Sequence, residues 1–98
     1  MFNKATRTMM AMLFDRSTVD EIDGKMEDGR AWHVNIRRPN LFQDYTYFDG
    51  YVSGAYNDDF RGGTLEETLD KMEAWFSADK AIKAELKGES HVLGWQDK

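Results

Sequence analysis

Gly62-Gly63-Thr64-Leu65-Glu66-Glu67-Thr68-Leu69-Asp70-Lys71-Met72-Glu73-Ala74-Trp75-Phe76 reads as one helix together with its start signal. Thr64 can cap the chain while Glu67, three residues on, reaches back, the T-x-x-E capping box. Leu65, Leu69, Met72 and Phe76 recur at i, i+4, i+7 and i+11 and make one apolar stripe. Glu66, Asp70 and Glu73 form an acidic row beside that stripe, predicted to face solvent. The pattern predicts a helix over 64–76 with one buried side, and the rest of the chain supplies a sheet for it to cover.

That sheet begins with a hairpin. Glu27-Asp28-Gly29 separates a mixed segment, 18–26, from the alternating run Trp32, Val34, Ile36. A two-residue Asp-Gly loop would set Glu21, Asp23 and Lys25 on the Trp32 face and bury their charges. A three-residue loop with Gly29 left-handed shifts the pairing by one. Ile22 then faces Val34, and Gly24 lies opposite Trp32, whose indole can cover it. A one-residue slip reverses every side chain, so the apolar pattern selects the second register. A helix starting at Ser17 or Thr18 competes with the strand, but Gly24 would interrupt it.

Residues 3–15 read as a second helix capped by Asn3, with Phe2, Ala5, Met9, Met12 and Leu13 on one side. Pro39-Asn40 ends the second strand. The segment 44–56 carries Tyr45, Tyr47, Phe48, Tyr51 and Tyr56. Asp49-Gly50 in its middle signals a turn, giving either a second hairpin or one long bulged strand. The main helix is expected to break near Ser77, because Asp79 and Lys80 stand where its stripe should continue. A shorter helix would then carry Ala78, Ile82 and Leu86, with Gly88 as its C-cap. The tail from His91 to Trp95 is apolar enough to dock as an edge strand or cover the core.

The fold class expected is α+β in a single domain, 1–98. It comprises a three- to four-stranded antiparallel sheet packed by a C-terminal helix (64–76), with an N-terminal helix (3–15) beside it. The expected core is Leu13, Ile22, Trp32, Val34, Ile36, Leu65, Leu69, Met72 and Phe76. At 98 residues with 41% hydrophobic and 13% aromatic content, the chain can build one such core. It has no cysteine, which excludes a disulfide scaffold and Cys-ligated zinc. Its longest apolar run, 9–14, falls far short of the roughly 20 residues of a membrane span. The expected location is the cytoplasm.

The formal net charge is −5, which argues against general binding to a phosphate backbone and so against direct nucleic-acid contact. Acids crowd 44–73, at 44, 49, 58, 59, 66, 67, 70 and 73, with only Arg61 and Lys71 among them. Arg30, Arg37 and Arg38 read as one small basic spot.

Catalytic equipment is sparse. His33 falls between Trp32 and Val34 and so points away from the core, and His91 lies in the tail. No serine occupies a G-x-S-x-G elbow. The acids around Gly24 fail the calcium-loop pattern, since its first position would be Val19. Asp58-Asp59 reads as a solvated turn rather than a magnesium site. Gly62-Gly63 lacks a Walker lysine, and Glu66 and Glu67 would repel phosphate, so no cofactor and no metal is expected.

From Lys25 to Phe76 the chain resembles the HicB antitoxin family. Glu27-Asp28-Gly29-Arg30-Ala31-Trp32-His33-Val34 looks like that family's Asp-Gly turn into a second strand. Pro39-Asn40-Leu41 is similar to its Pro-Asp-Leu step, and Gly63-Thr64-Leu65-Glu66-Glu67-Thr68-Leu69 to its Gly-x-Thr-x-Glu-Glu-Ala helix entry. The aromatic insert 43–58 and the preceding helix depart from the family pattern. In size, acidity and make-up the chain also looks like small phage anti-defence proteins, including anti-CRISPRs. The resemblances imply a sheet backed by a helix and a regulatory role.

The expected function is a non-enzymatic protein-binding module that inhibits or regulates a larger protein, carried by a phage or mobile element. Its expected partner is a basic or nucleic-acid-binding protein. The partner-binding candidates are Tyr45, Tyr47, Tyr51, Tyr56, Asp58, Asp59, Glu66, Asp70 and Glu73: aromatics for contact area, acids for steering. The alternative is a HicB-like antitoxin or nucleic-acid-associated regulator using Arg30, Arg37 and Arg38. A homodimer through 9–14 or an uncovered sheet edge stays open.

Overall fold

The computed structural model describes residues 1–16, 18–55 and 60–89. In chain order it holds α1 (Lys4–Asp15), β1 (Glu21–Lys25), β2 (Ala31–Arg37), β3 (Tyr47–Val52) and α2 (Leu65–Glu89). The strands form one antiparallel sheet in the order β1-β2-β3. Both helices cover the same face of it, an α+β arrangement of two layers.

The first hairpin has the register that the apolar pattern selects. Ile22 pairs with Val34 and Gly24 with Trp32. Met26 N–H donates to Arg30 O at 2.7 Å and Gly29 N–H to Met26 O at 2.9 Å, closing a loop of Glu27, Asp28 and Gly29. Gly29 has φ 91°, the left-handed value such a loop needs.

Of the two readings of 44–56 the single strand is the one that forms, shorter and without a bulge, so Asp49-Gly50 is not a turn. β3 runs straight through it, in unbroken register with β2 from Trp32↔Val52 to Arg37↔Tyr47. Gly50 is instead required by helix packing: a Cβ there would stand 2.6 Å from Met72 Sδ. A glycine chosen for close approach and one chosen for a turn look alike in sequence.

The capping box forms with a shift of one residue. Glu67 N–H donates to Thr64 Oγ1 at 3.1 Å, while the Glu67 carboxylate accepts from Gly63 N–H at 3.1 Å. Helix α2 does not break at Ser77, and Gly88 lies within it rather than capping it. Where the apolar stripe ends, ion pairs to the hairpin take over. Asp79 accepts from Arg30 at 2.8 Å and Lys80 meets Glu27 at 3.2 Å.

Helix α1 is capped by Asn3, whose Oδ1 accepts from Thr6 N–H at 2.9 Å. Its buried side is the predicted one only in part, at Phe2, while Ala5, Met9 and Met12 are exposed. Phe2, Met10 and Phe14 are buried, whereas Met9 and Met12 are 60% and 56% exposed. The run 9–14 is apolar almost all round, so periodicity could not choose its face. The ring partners chose it: Phe2 meets Trp32 edge-on at 5.0 Å, and Phe14 meets Phe48 at 5.6 Å.

The core contains Trp32, Val34, Leu65, Leu69, Met72 and Phe76 as expected. Ile22 and Ile36 pack against it half-buried, and Leu13 is half-buried outside it. Phe2, Met10, Phe14, Met26, Val52 and Phe60 complete it. The expected tail strand from His91 to Trp95 lies outside the described residues.

Candidate functional site: the open face of the sheet

Strand alternation puts Ile22, Trp32, Val34, Ile36, Phe48 and Val52 under the helices. The opposite face then carries Glu21, Asp23 and Lys25 from β1, His33, Asn35 and Arg37 from β2, and Tyr47, Asp49 and Tyr51 from β3. His33 and Tyr51 are cross-strand partners whose rings stack at 5.1 Å and 22°. The Arg61 guanidinium lies 4.6 Å from the Tyr47 ring centre, and its Nε donates to Asp49 at 2.9 Å. Arg37 approaches the other Asp49 oxygen at 3.6 Å. Arg37, Tyr47, Asp49 and Arg61, with Arg38, Asn40 and Gln43, line a shallow polar cleft of about 500 Å³.

At that end of the sheet the chain between β2 and β3 makes an ordered knuckle. Asn40 Oδ1 accepts from Phe42 N–H at 2.7 Å and Gln43 N–H at 3.1 Å, and Asn40 N–H donates to Gln43 O at 2.8 Å. Gln43 Nε2 donates to Tyr45 O at 3.1 Å. The turn holds Leu41 and Phe42 outward, 96% and 95% exposed. Tyr45 stands beside them, 59% exposed, with its ring 5.9 Å from that of Tyr47. Sequence reasoning passed over Leu41 and Phe42. The available signal was Pro39-Asn40, because an Asx turn pushes the next two side chains to its tip.

Of the predicted binding residues, the structure groups Tyr45, Tyr47 and Tyr51 on this face. Tyr56, Asp58 and Asp59 lie outside the described residues. Glu66, Asp70 and Glu73 are elsewhere, in the helical layer on the far side of the sheet, and all three converge on Arg7. Its Nη1 is 2.7 Å from Glu66 and 2.9 Å from Asp70, and its Nη2 donates to Glu73. Arg7 Nε donates to Phe2 O at 2.6 Å, and Phe2 N–H donates to Glu73 at 2.8 Å. Burial weakens the hold of Arg7 on its proton, but hydrogen bonds to Asp70 and Glu66 raise its pKa overall. The acidic row thus fastens α1 to α2.

The predicted basic spot is dispersed as well. Arg30 lies across the helical layer, its guanidinium 4.7 Å from the Phe76 ring centre and bonded to Asp28 and Asp79. Arg38 donates to Asp20 and to the carbonyls of Phe14 and Val19, both at 2.9 Å, tying the chain after β2 to the end of α1 and the link that leads into β1. Arg37 is the only one of the three within a strand and points to the open face, while Arg38, just past the end of β2, borders the same cleft.

Among the described residues no cluster of three His, Asp or Glu side chains is placed to hold a metal, and no helix is long and apolar enough to cross a membrane. Comparison with protein-family models, curated proteins and solved structures finds no match to this chain.

Proposed function

We propose that this protein is a non-enzymatic binding module that inhibits or regulates a larger protein. It docks through the open sheet face at the end where Leu41, Phe42 and Tyr45 stand beside Tyr47. The observation that carries this reading is the pair of almost fully exposed apolar side chains on a hydrogen-bonded turn. Burying each in a partner's pocket contributes roughly 1.5–3 kcal/mol. The Asn40 turn orders them in advance, so little conformational freedom is lost on docking. The net charge of −5 favours a basic or nucleic-acid-binding partner.

The test is affinity capture from a lysate of the source organism after nuclease treatment, comparing the unmodified protein with L41A/F42A. One stoichiometric protein retained by the first and lost by the second supports the reading. Equal retention by both overturns the docking site. A HicB-like or nucleic-acid-associated regulator is the second reading, favoured by Arg37 and Arg61 beside Tyr47 and Tyr51 on one face. It predicts that nuclease strips every partner and that capture falls steeply with salt.

A further inference from the structure

The direction of the backbone groups along β1 follows from two hydrogen bonds that bracket it. Ile36 N–H donates to Asp20 O at 3.0 Å and Met26 N–H donates to Arg30 O at 2.7 Å. Even-numbered residues of β1 therefore point their N–H and C=O groups at β2, as Ile22↔Val34 and Gly24↔Trp32 do. Those of Glu21, Asp23 and Lys25 point outward and meet no partner among the described residues. The other sheet edge is partly closed, because Phe48 exchanges two bonds with Gly62, at 2.8 and 3.0 Å. An uncovered strand edge is a template for another strand.

We infer that β1 pairs, antiparallel, with β1 of a second copy of this chain, about a two-fold axis at Gly24. The charges select that occupant and that register. Centring on Gly24 sets Asp23 opposite Lys25 of the second copy, and Lys25 opposite its Asp23, two opposite-charge pairs that also exchange backbone bonds. Centring on Asp23 also offers two Glu21–Lys25 pairs but opposes two aspartates at the axis, centring on Ile22 opposes Glu21 and Asp23, and centring on Lys25 opposes two lysines; only the Gly24 axis opposes no like charges within β1. At the ladder's ends Glu21 approaches Glu27 of the second copy, whose charge Lys80 already meets at 3.2 Å. On the covered side, the same register brings Ile22 of the second copy beside Met26. A cleft of about 300 Å³ opens there between Met1, Phe2, Met26 and Trp32. The product is a continuous six-stranded sheet with both knuckles at its outer parts.

Sedimentation velocity on the full chain, from micromolar to millimolar, tests this. The unmodified protein is expected to dimerise with concentration. D23K alone and K25D alone each weaken the dimer about tenfold or more, and the D23K/K25D double variant restores it by exchanging the charges. A monomer throughout, a dimer indifferent to both single changes, or a double variant that fails to recover overturns the inference. Amide exchange on the unmodified chain gives a readout free of mutation. Asp23 and Lys25 N–H groups should become protected only as concentration rises, and protection independent of concentration, or none, counts against pairing.

Discussion

The Trp32 indole lies so close against Gly24 that a Cβ on that glycine would stand 2.6 Å from the ring carbon Cζ2. Gly24 and Trp32 are cross-strand partners, and Phe2 of α1 packs edge-on against the same ring. One contact thus joins β1, β2 and the N-terminal helix. Gly24→Ala should destabilise the fold by about 1–3 kcal/mol through overpacking. Urea denaturation measures it, and an unchanged midpoint would show that the indole moves aside freely.

Gly50 and Met72 make the equivalent contact between β3 and α2. Gly50→Ala places a Cβ 2.6 Å from Met72 Sδ and 3.0 Å from Thr68 Cγ2. Alone it should cost about 1–3 kcal/mol. Combined with Met72→Ala the two losses should be less than additive by at least about 0.5 kcal/mol. A double-mutant cycle that comes out additive means that the two positions do not share the space.

Arg7 is the fastening of α1. Its side chain is 14% exposed and meets three carboxylates on α2. Arg7→Ala leaves Glu66, Asp70 and Glu73 repelling one another and should cost about 1–3 kcal/mol. Arg7→Lys should recover only part of that, because an ammonium cannot bridge three carboxylates as a guanidinium fork does. Equal stability of all three proteins in urea would remove the fastening role.

Acid should loosen the contact between α2 and the hairpin. Hydrogen bonding from Lys83, opposed by burial and aided by Arg30, holds the Asp79 carboxyl below the usual carboxylate range. The Arg30 backbone N–H, against some burial and with the Arg30 side chain, does the same for Asp28. A lowered folded-state pKa means stability that is complete above the unfolded-state value, about 4, and is lost as pH falls through the folded value. Stability should therefore decline below about pH 4, and Asp79→Asn should flatten that limb. A variant with an unaltered acid limb would assign the decline to other carboxylates.

On the proposed reading Leu41 and Phe42 serve docking and not the fold. Being 96% and 95% exposed, they should each tolerate alanine within about 0.5 kcal/mol. A clear fall in the thermal midpoint of L41A/F42A would show that the knuckle packs against the body and is no free contact surface.

Local pattern sufficed wherever neighbours in sequence carry the physics. The capping box at Thr64, the stripe Leu65, Leu69, Met72 and Phe76, and the Ile22–Val34 register were all legible, because each depends on spacing along one element or across one tight turn. Reading failed where two different causes leave the same residue. Gly50 served helix approach instead of a turn, and the run 9–14 offered apolar side chains in every direction. At 77–80, a stripe interrupted by charge signalled a helix end, whereas the charges continue the helix by pairing with Glu27 and Arg30.

The candidate site divides in the same way. Residue types alone singled out Tyr45, Tyr47 and Tyr51, which the structure groups on one face, and strand alternation set His33 away from the core. The sequence by itself determined the α+β class, the hairpin register and the capped, one-sided main helix, since these are decided by interactions a few residues apart. Only the tertiary structure decided that Glu66, Asp70 and Glu73 belong to Arg7 and that Arg30, Arg37 and Arg38 each take different partners. A charge has no assigned partner until the chain closes on itself: Arg7 and Glu73 are separated by 66 residues, and only the packing of α1 on Trp32 and Phe48 brings them together.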